Sequence, residues 1–140
     1  LTELDAEVLE ELDRKCFPPP VRYNRHALSY YLSLPNSFGL AEFENDEIKG
    51  FIIVTLISKN NANIVTIDVE PSLRRQGIGS KLITLATNVL HSWKVQIITL
   101  QVSVDNEPAI KFYQKHKFKI IETLSMYYPT SDGYQMELII

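Results

Sequence analysis

The chain has 140 residues, 45% of them apolar and 22% charged, the balance of one globular domain that buries a core without disulfide or metal staples. A formal charge of −3 and a pI near 5.6 argue against the basic face that nucleic-acid binders carry. The single cysteine, Cys16, allows no internal disulfide, three histidines lack HxxxH or HExxH spacing, and no apolar run approaches the ~20 residues of a membrane helix.

Leu4, Val8, Leu9 and Leu12 share a face, which predicts a helix over residues 2–15 capped by Thr2 or Asp5. CFPPPVRYN, 16–24, breaks it, because three prolines remove three amide donors and hold the preceding residues extended. Asn24 can cap a short second helix carrying Leu28, Tyr31 and Leu32 and ending near Pro35. SFGLAEFE and IKGFIIVTLIS, joined across NDE, read as a hairpin rich in β-branched and aromatic residues. The polar loop KNNAN then leads to a strand, IVTIDVE, closed by Pro71.

RRQGIGSKL, 74–82, follows at once and opens a helix with Leu82, Ile83, Ala86, Val89, Leu90 and Trp93 on one stripe. VQIITLQVSV reads as a strand, and NEPAIKFYQKH as a helix with Pro108 tolerated in its first turn. FKIIETLSMYY and YQMELII form a last hairpin across PTSDG. Helices that cross over between strands demand at least one parallel pair in an otherwise antiparallel sheet. The expected fold is therefore α/β (α+β), one mixed sheet in a single domain spanning 1–140.

A strand, a glycine turn and a helix start make an anion seat: unpaired amides point outward and the helix dipole adds positive charge. Gly77 and Gly79 allow close backbone approach, and Arg74 and Arg75 offer charge-assisted contacts. A Walker P-loop fails because no glycine stands at 74 and Leu82 follows the lysine; GxGxxG would need a glycine at 82. RxxGxG after a strand remains, which by itself fits equally a tight connector with solvated arginines.

IDVEPSLRRQGIGSKLI, followed by DNEPAIKFYQKHKF, resembles the GNAT superfamily of acetyl-CoA-dependent N-acetyltransferases over nearly the whole chain. Within it the chain looks most like the protein Nα-acetyltransferases, especially the ribosomal-protein alanine type. The resemblance implies a sheet whose central parallel pair splays apart. It further implies a coenzyme A pyrophosphate held by Arg74, Arg75, Gln76, Gly77, Ile78, Gly79 and Ser80, and a pantetheine arm paired with Ile67, Asp68 and Val69 and contacted by Asn106. Tyr113 falls at the general acid, Tyr127 and Tyr128 at the paired tyrosines of the peptide slot, and Phe17, Pro18 and Tyr23 in the substrate loop. The chemistry supports Tyr113 independently, since a phenol near pKa ~10 stays protonated at neutral pH and can protonate a thiolate whose acid is near ~8.5.

The chain also departs from that pattern. Gln101 stands at the glutamate that serves as general base, and Asn63 stands where other members carry one; neither amide accepts a proton near neutral pH. Asp68, Glu70 and Glu42 are the candidate carboxylates acting through water. A site without a strong base favours α-amines, roughly a tenth neutral at pH 7, over lysine side chains at pKa ~10.4. Lys117 replaces the usual helix-ending glycine, and the family's first strand is missing ahead of the first helix.

The expected activity is transfer of acetyl from acetyl-CoA to the N-terminal α-amine of a protein or peptide by direct attack, without metal, nucleic acid or membrane. The expected protein is a cytoplasmic monomer or weak dimer. Small amines or polyamines as acceptors, and a non-catalytic acyl-CoA-binding module, are the alternatives.

Overall fold

A computed structural model describes residues 1–140, the side chain of Leu4 excepted. The chain starts with a 3₁₀ turn, Glu3–Asp5, and then α1, Ala6–Cys16. Asp5 is the N-cap, but its carboxylate accepts from the Thr2 amide (2.8 Å) and makes no side-chain cap onto α1. Leu9 and Leu12 are buried as expected, whereas Val8 is 53% exposed; Leu4, expected on the same face, lies outside the described side chains. The prolines end α1 and wind into a single 3₁₀ turn, Pro19–Val21. The Asn24 side chain accepts from the Ala27 amide (2.9 Å) and starts α2, Arg25–Ser33.

The strands are β1 (Ser37–Glu44), β2 (Glu47–Leu56), β3 (Asn61–Val69), β4 (Ile97–Ser103), β5 (Lys119–Tyr128) and β6 (Ser131–Ile139), in the order β1-β2-β3-β4-β6-β5. All pairs are antiparallel except β3 with β4. β3 starts at Asn61, inside the expected polar loop, because Ala62 and Asn63 pair with Leu56 and Thr55 on one side and with Ile98 and Thr99 on the other. β6 likewise begins at Ser131, so most of PTSDG belongs to the strand.

Helix α3, Ile78–Ser92, and α4, Glu107–Lys115, lie on one face of the sheet over a core that includes Ile52, Val54, Leu82, Leu90, Leu100 and Met136. α1 and α2 cover the other face over Leu9, Leu12, Leu28, Phe51 and Ile53. Each such side chain contributes about 1.5–3 kcal/mol on burial, so the two layers rather than helix propensity hold the sheet. Trp93, expected on the buried stripe of α3, instead sits at its C-cap 44% exposed, edge-on to Phe38 (5.3 Å). Lys117 closes α4 at φ 74°, the left-handed conformation that glycine adopts without steric cost.

One irregularity decides what faces where. The β2–β3 register shifts between Ile53 and Val54, leaving Val65 as an extra residue. Before it Ile64 packs into the α3 core; after it Thr66 lies opposite Ile53, and Asp68 opposite Phe51, on the α1 side. The β3–β4 ladder also stops at Ile64 paired with Leu100, so the facing edges beyond carry no bonds between them.

Candidate active site

The glycine turn lies where β3 hands over to α3. After the 3₁₀ turn Pro71–Leu73, Arg75 adopts φ 67° and Gly77 φ 88°, and Gly77 becomes the N-cap of α3 without a side-chain cap. The first main-chain bond of the helix runs from the Lys81 amide to the Gly77 carbonyl (3.0 Å), which leaves the amides of Ile78, Gly79 and Ser80 unpaired within it. A Cβ on Gly77 would meet nothing within 4 Å, so the turn borders open space, while one on Gly79 would lie 2.9 Å from the Phe112 ring. Alternating backbone handedness with converging free amides is an anion-binding concavity at the positive end of a 15-residue helix. Ser80 Oγ is also 2.9 Å from His116 Nε2 at the end of α4, and burial holds that imidazole below its usual pKa.

The opening between β3 and β4 leads away from this turn, and its residues fit an extended ligand carrying amides. Ile67, Asp68 and Val69 form one edge, although the Val69 carbonyl already accepts from Cys16 Sγ (3.3 Å) and Arg74 Nε (3.3 Å). Asn106 caps α4 by accepting from the Ala109 amide (3.3 Å), and its amide nitrogen has no partner among the described residues. Tyr113, on the inward face of α4, is 9% exposed, and its hydroxyl makes no hydrogen bond among the described residues. Burial, and then the negative charge of Asp68 and the ring of Tyr128, push that phenol above its ordinary pKa.

Aromatic side chains gather at the β5–β6 bulge and in the 16–24 segment. Tyr127 and Tyr128 sit edge to face at 4.9 Å, turned by the bulge between Leu124 and Tyr128, and the Met126 amide there donates to Asp132 Oδ1 (2.8 Å). Gly133 permits this, because a Cβ there would stand 3.2 Å from that of Tyr127. Tyr23 reaches in from the 16–24 segment, its hydroxyl donating to the Val65 carbonyl (3.2 Å) and its ring 6.2 Å from that of Tyr31. Burial pushes the Tyr128 phenol up to about 12 and raises Tyr127, which also feels Tyr31. Phe17 is half-buried and Pro18 exposed at the start of the same segment. Tyr31 is expected from the sequence only as a packing residue of α2; nothing in its local sequence signals that its ring meets that of Tyr23.

Gln101 and Asn63 form an amide network. Gln101 Nε2 donates to Asn63 Oδ1 (3.0 Å) and Gln135 Oε1 (2.7 Å), and Thr99 Oγ1 donates to Asn63 Oδ1 (2.8 Å). Among the candidate carboxylates, Glu42 is paired with Lys81 (3.0 Å) and Glu70 with Lys15 (3.3 Å). Asp68 is 1% exposed and lies on the α1 side of the sheet, its carboxyl raised in pKa first by burial and then by Asp13. A surface hollow of about 250 Å³, lined by Glu10, Arg14, Pro19, Arg22, Tyr23 and Asn24, lies against the 16–24 segment and holds none of the candidate carboxylates or amides. Among the described residues no His, Cys, Asp or Glu cluster could hold a metal, and no helix is long and apolar enough to cross a membrane.

Comparison with known proteins places the chain in a family. N-alpha-acetyltransferase 50 of Danio rerio is 33% identical over 132 residues, 91% of this chain and 77% of its own length. The [ribosomal protein bS18]-alanine N-acetyltransferase of Escherichia coli K12 is 30% identical over 96 residues, 69% of this chain and 64% of its own length. The crystal structure of Ard1 from Thermoplasma volcanium superposes with a TM-score of 0.90 at 26% identity, covering 100% of this chain and 94% of that one. Residues 6–118 match the Acetyltransferase (GNAT) family, the family to which this chain belongs.

Proposed function

We propose that this N-acetyltransferase moves an acetyl group from acetyl-CoA to the N-terminal α-amine of a protein or peptide. The observation that carries the reading is the unladdered opening beside Ile67–Val69, with free helix amides at Gly77–Ser80 after β3, a buried phenol at Tyr113 on α4, and paired tyrosines at 127 and 128. One relative is named an N-alpha-acetyltransferase and another an alanine N-acetyltransferase of a ribosomal protein, which supports a protein α-amine as the acceptor here.

Acetyl-CoA supplies an activated thioester. The amides of Gly77, Ile78, Gly79 and Ser80 hold its pyrophosphate at the helix dipole, with Gln76 shaping the turn and Arg74 and Arg75 adding charge. The main chain of Ile67, Asp68 and Val69 offers strand-like bonds to the pantetheine amides, and Asn106 adds its free amide nitrogen. Tyr113 keeps its proton at neutral pH and donates it toward the sulfur as the carbon–sulfur bond breaks.

Phe17, Pro18, Tyr23, Tyr127 and Tyr128 line the peptide side. Gln101 donates both of its bonded contacts and cannot take up the amine's proton, so the acceptor must arrive neutral, which favours α-amines near pKa ~8.

Acetyl-CoA turnover with peptides varied at their first two residues tests the assignment. Free α-amines are expected to react, and an N-terminally blocked peptide carrying lysine is expected to stay unmodified. Preferential reaction of lysine side chains or polyamines overturns it, and binding of acetyl-CoA without transfer to any amine identifies a non-catalytic module.

A further inference from the structure

Two buried carboxyls lie outside the steps above. Asp13 on α1 is 0% exposed and Asp68 on β3 is 1% exposed, where α1 meets β3: Cys16 Sγ donates to the Val69 carbonyl (3.3 Å), Tyr23 donates its amide to Asp13 and its hydroxyl to the Val65 carbonyl, and each carboxyl acts on the other. Each has one oxygen satisfied from outside the pair: Asp13 Oδ2 accepts from the Tyr23 amide (2.7 Å), and Asp68 Oδ1 accepts from the Thr66 hydroxyl (2.6 Å). The remaining oxygens, Asp13 Oδ1 and Asp68 Oδ2, are sealed from solvent and have no hydrogen-bond partner among the described residues. Two ionised carboxylates, acceptors only, would leave both of these oxygens unpartnered, whereas one retained proton supplies the missing donor.

The position of the pair gives it consequences. Asp13 is the anchor of the 17–24 segment, because its carbonyl accepts from the Phe17 amide (3.0 Å) and its carboxyl from the Tyr23 amide. Arg22 ties the same segment down by donating to the Phe17 carbonyl (2.7 Å) and the Arg14 carbonyl (3.1 Å). Asp68 belongs to the unladdered edge of β3 and acts electrostatically on Tyr113. From this geometry we infer that Asp13 and Asp68 share one proton and form a positioning latch that holds the acceptor segment in register with the donor strand.

The inference rests on the acceptor reading proposed above. Around the pair stand Arg22 and Tyr23 from the segment, Cys16 from α1, Arg74 from the turn after β3 and Tyr113 from α4. Desolvation is the largest influence on both carboxyls and raises both.

Substitution with asparagine separates a shared proton from simple packing. In Asp68→Asn the amide donates to Asp13 while its carbonyl still accepts from Thr66, which mimics the protonated carboxyl. Asp13→Asn likewise donates to Asp68 and accepts from Tyr23. In the Asp13→Asn/Asp68→Asn double variant both outer oxygens remain oriented, and two amide nitrogens then face each other with no acceptor between them.

The expected result is that Asp13→Asn keeps the peptide KM within about 3-fold, whereas the double variant and Asp13→Ala raise it about 10-fold or more. In Asp13→Asn and Asp13→Ala the KM for acetyl-CoA should stay within about 2-fold, a split that general loss of structure would not produce. Difference infrared spectra at pH 7 should show a protonated carboxyl stretch in the parent protein that each single asparagine variant lacks. A double variant as active as the singles, equal changes in both KM values, or no protonated carboxyl at pH 7 overturns the latch. The infrared readout needs no acceptor, so failure of the peptide assignment leaves that part of the test standing.

Discussion

Tyr113 meets two requirements that pull against each other, burial against the core and a hydroxyl available to a reacting sulfur. α4 resolves the conflict by seating the ring beside Phe118 (5.9 Å) while the hydroxyl stays without a protein partner among the described residues. Tyr113→Phe should keep the ring packing and thermal stability yet lower kcat by ~10² to 10⁴-fold, measured by coenzyme A release. The same assay across pH checks the absence of a base. With Gln101 and Asn63 locked amide to amide, kcat/KM should climb about tenfold per pH unit to the pKa of the peptide's own α-amine and then level off. The break should move when that amine's pKa is changed. The Tyr113 phenol, shifted upward, and the His116 imidazole, shifted downward, place no enzyme group of their own at that break.

At the level of elements, termini and bulges set the site more than strand and helix interiors do. The turn before α3 places glycine at the positive φ of its N-cap, Gly77, but arginine at that of position 75, and the end of α4 has lysine: Lys117 holds φ 74° with a Cβ in the way. Lys117→Gly should stabilise the protein by about 0.5–1 kcal/mol, read as a rise of a few degrees in melting temperature with unchanged kcat. Helix α4 itself was readable from Asn106, Pro108 and its apolar spacing, because cap, first turn and periodicity are local properties. The start of β3 was not, since Asn61 and Asn63 are poor strand formers held there by neighbours on both sides.

Across the whole molecule, the Asp13–Asp68 pair ties the α1 layer to the central sheet and makes stability depend on pH in a defined direction. Both carboxyls have pKa values raised in the folded state, above an unfolded value near ~3.9. The folded protein therefore keeps a proton that the unfolded chain releases, and this contribution, complete below about pH 4, declines as pH rises through the pair's folded value. Glu10 runs the other way: held low first by the Arg25 amide, it favours folding above its unfolded pKa and loses that advantage in acid. Urea denaturation between about pH 5 and 8 should show the parent protein losing stability with rising pH, and Asp68→Asn should flatten that slope.

By itself the sequence determined the element order, one mixed sheet with a parallel pair, the anion-seat turn at Gly77 and Gly79, and Asn106 and Tyr113 on one helix, because periodicity, capping and turn chemistry act over a few residues. Only the tertiary structure decided the rest. In IVTIDVE strict alternation would put Ile64, Thr66 and Asp68 on one face, and the Val65 bulge, produced by pairing with β2, sends Thr66 and Asp68 to the other. That one register shift turns Asp68 to the side of the sheet where Asp13 is buried, 55 positions earlier in the chain, and it lies where the β3–β4 ladder ends. Pairing register is a property of two strands at once, so no reading of either alone contains it.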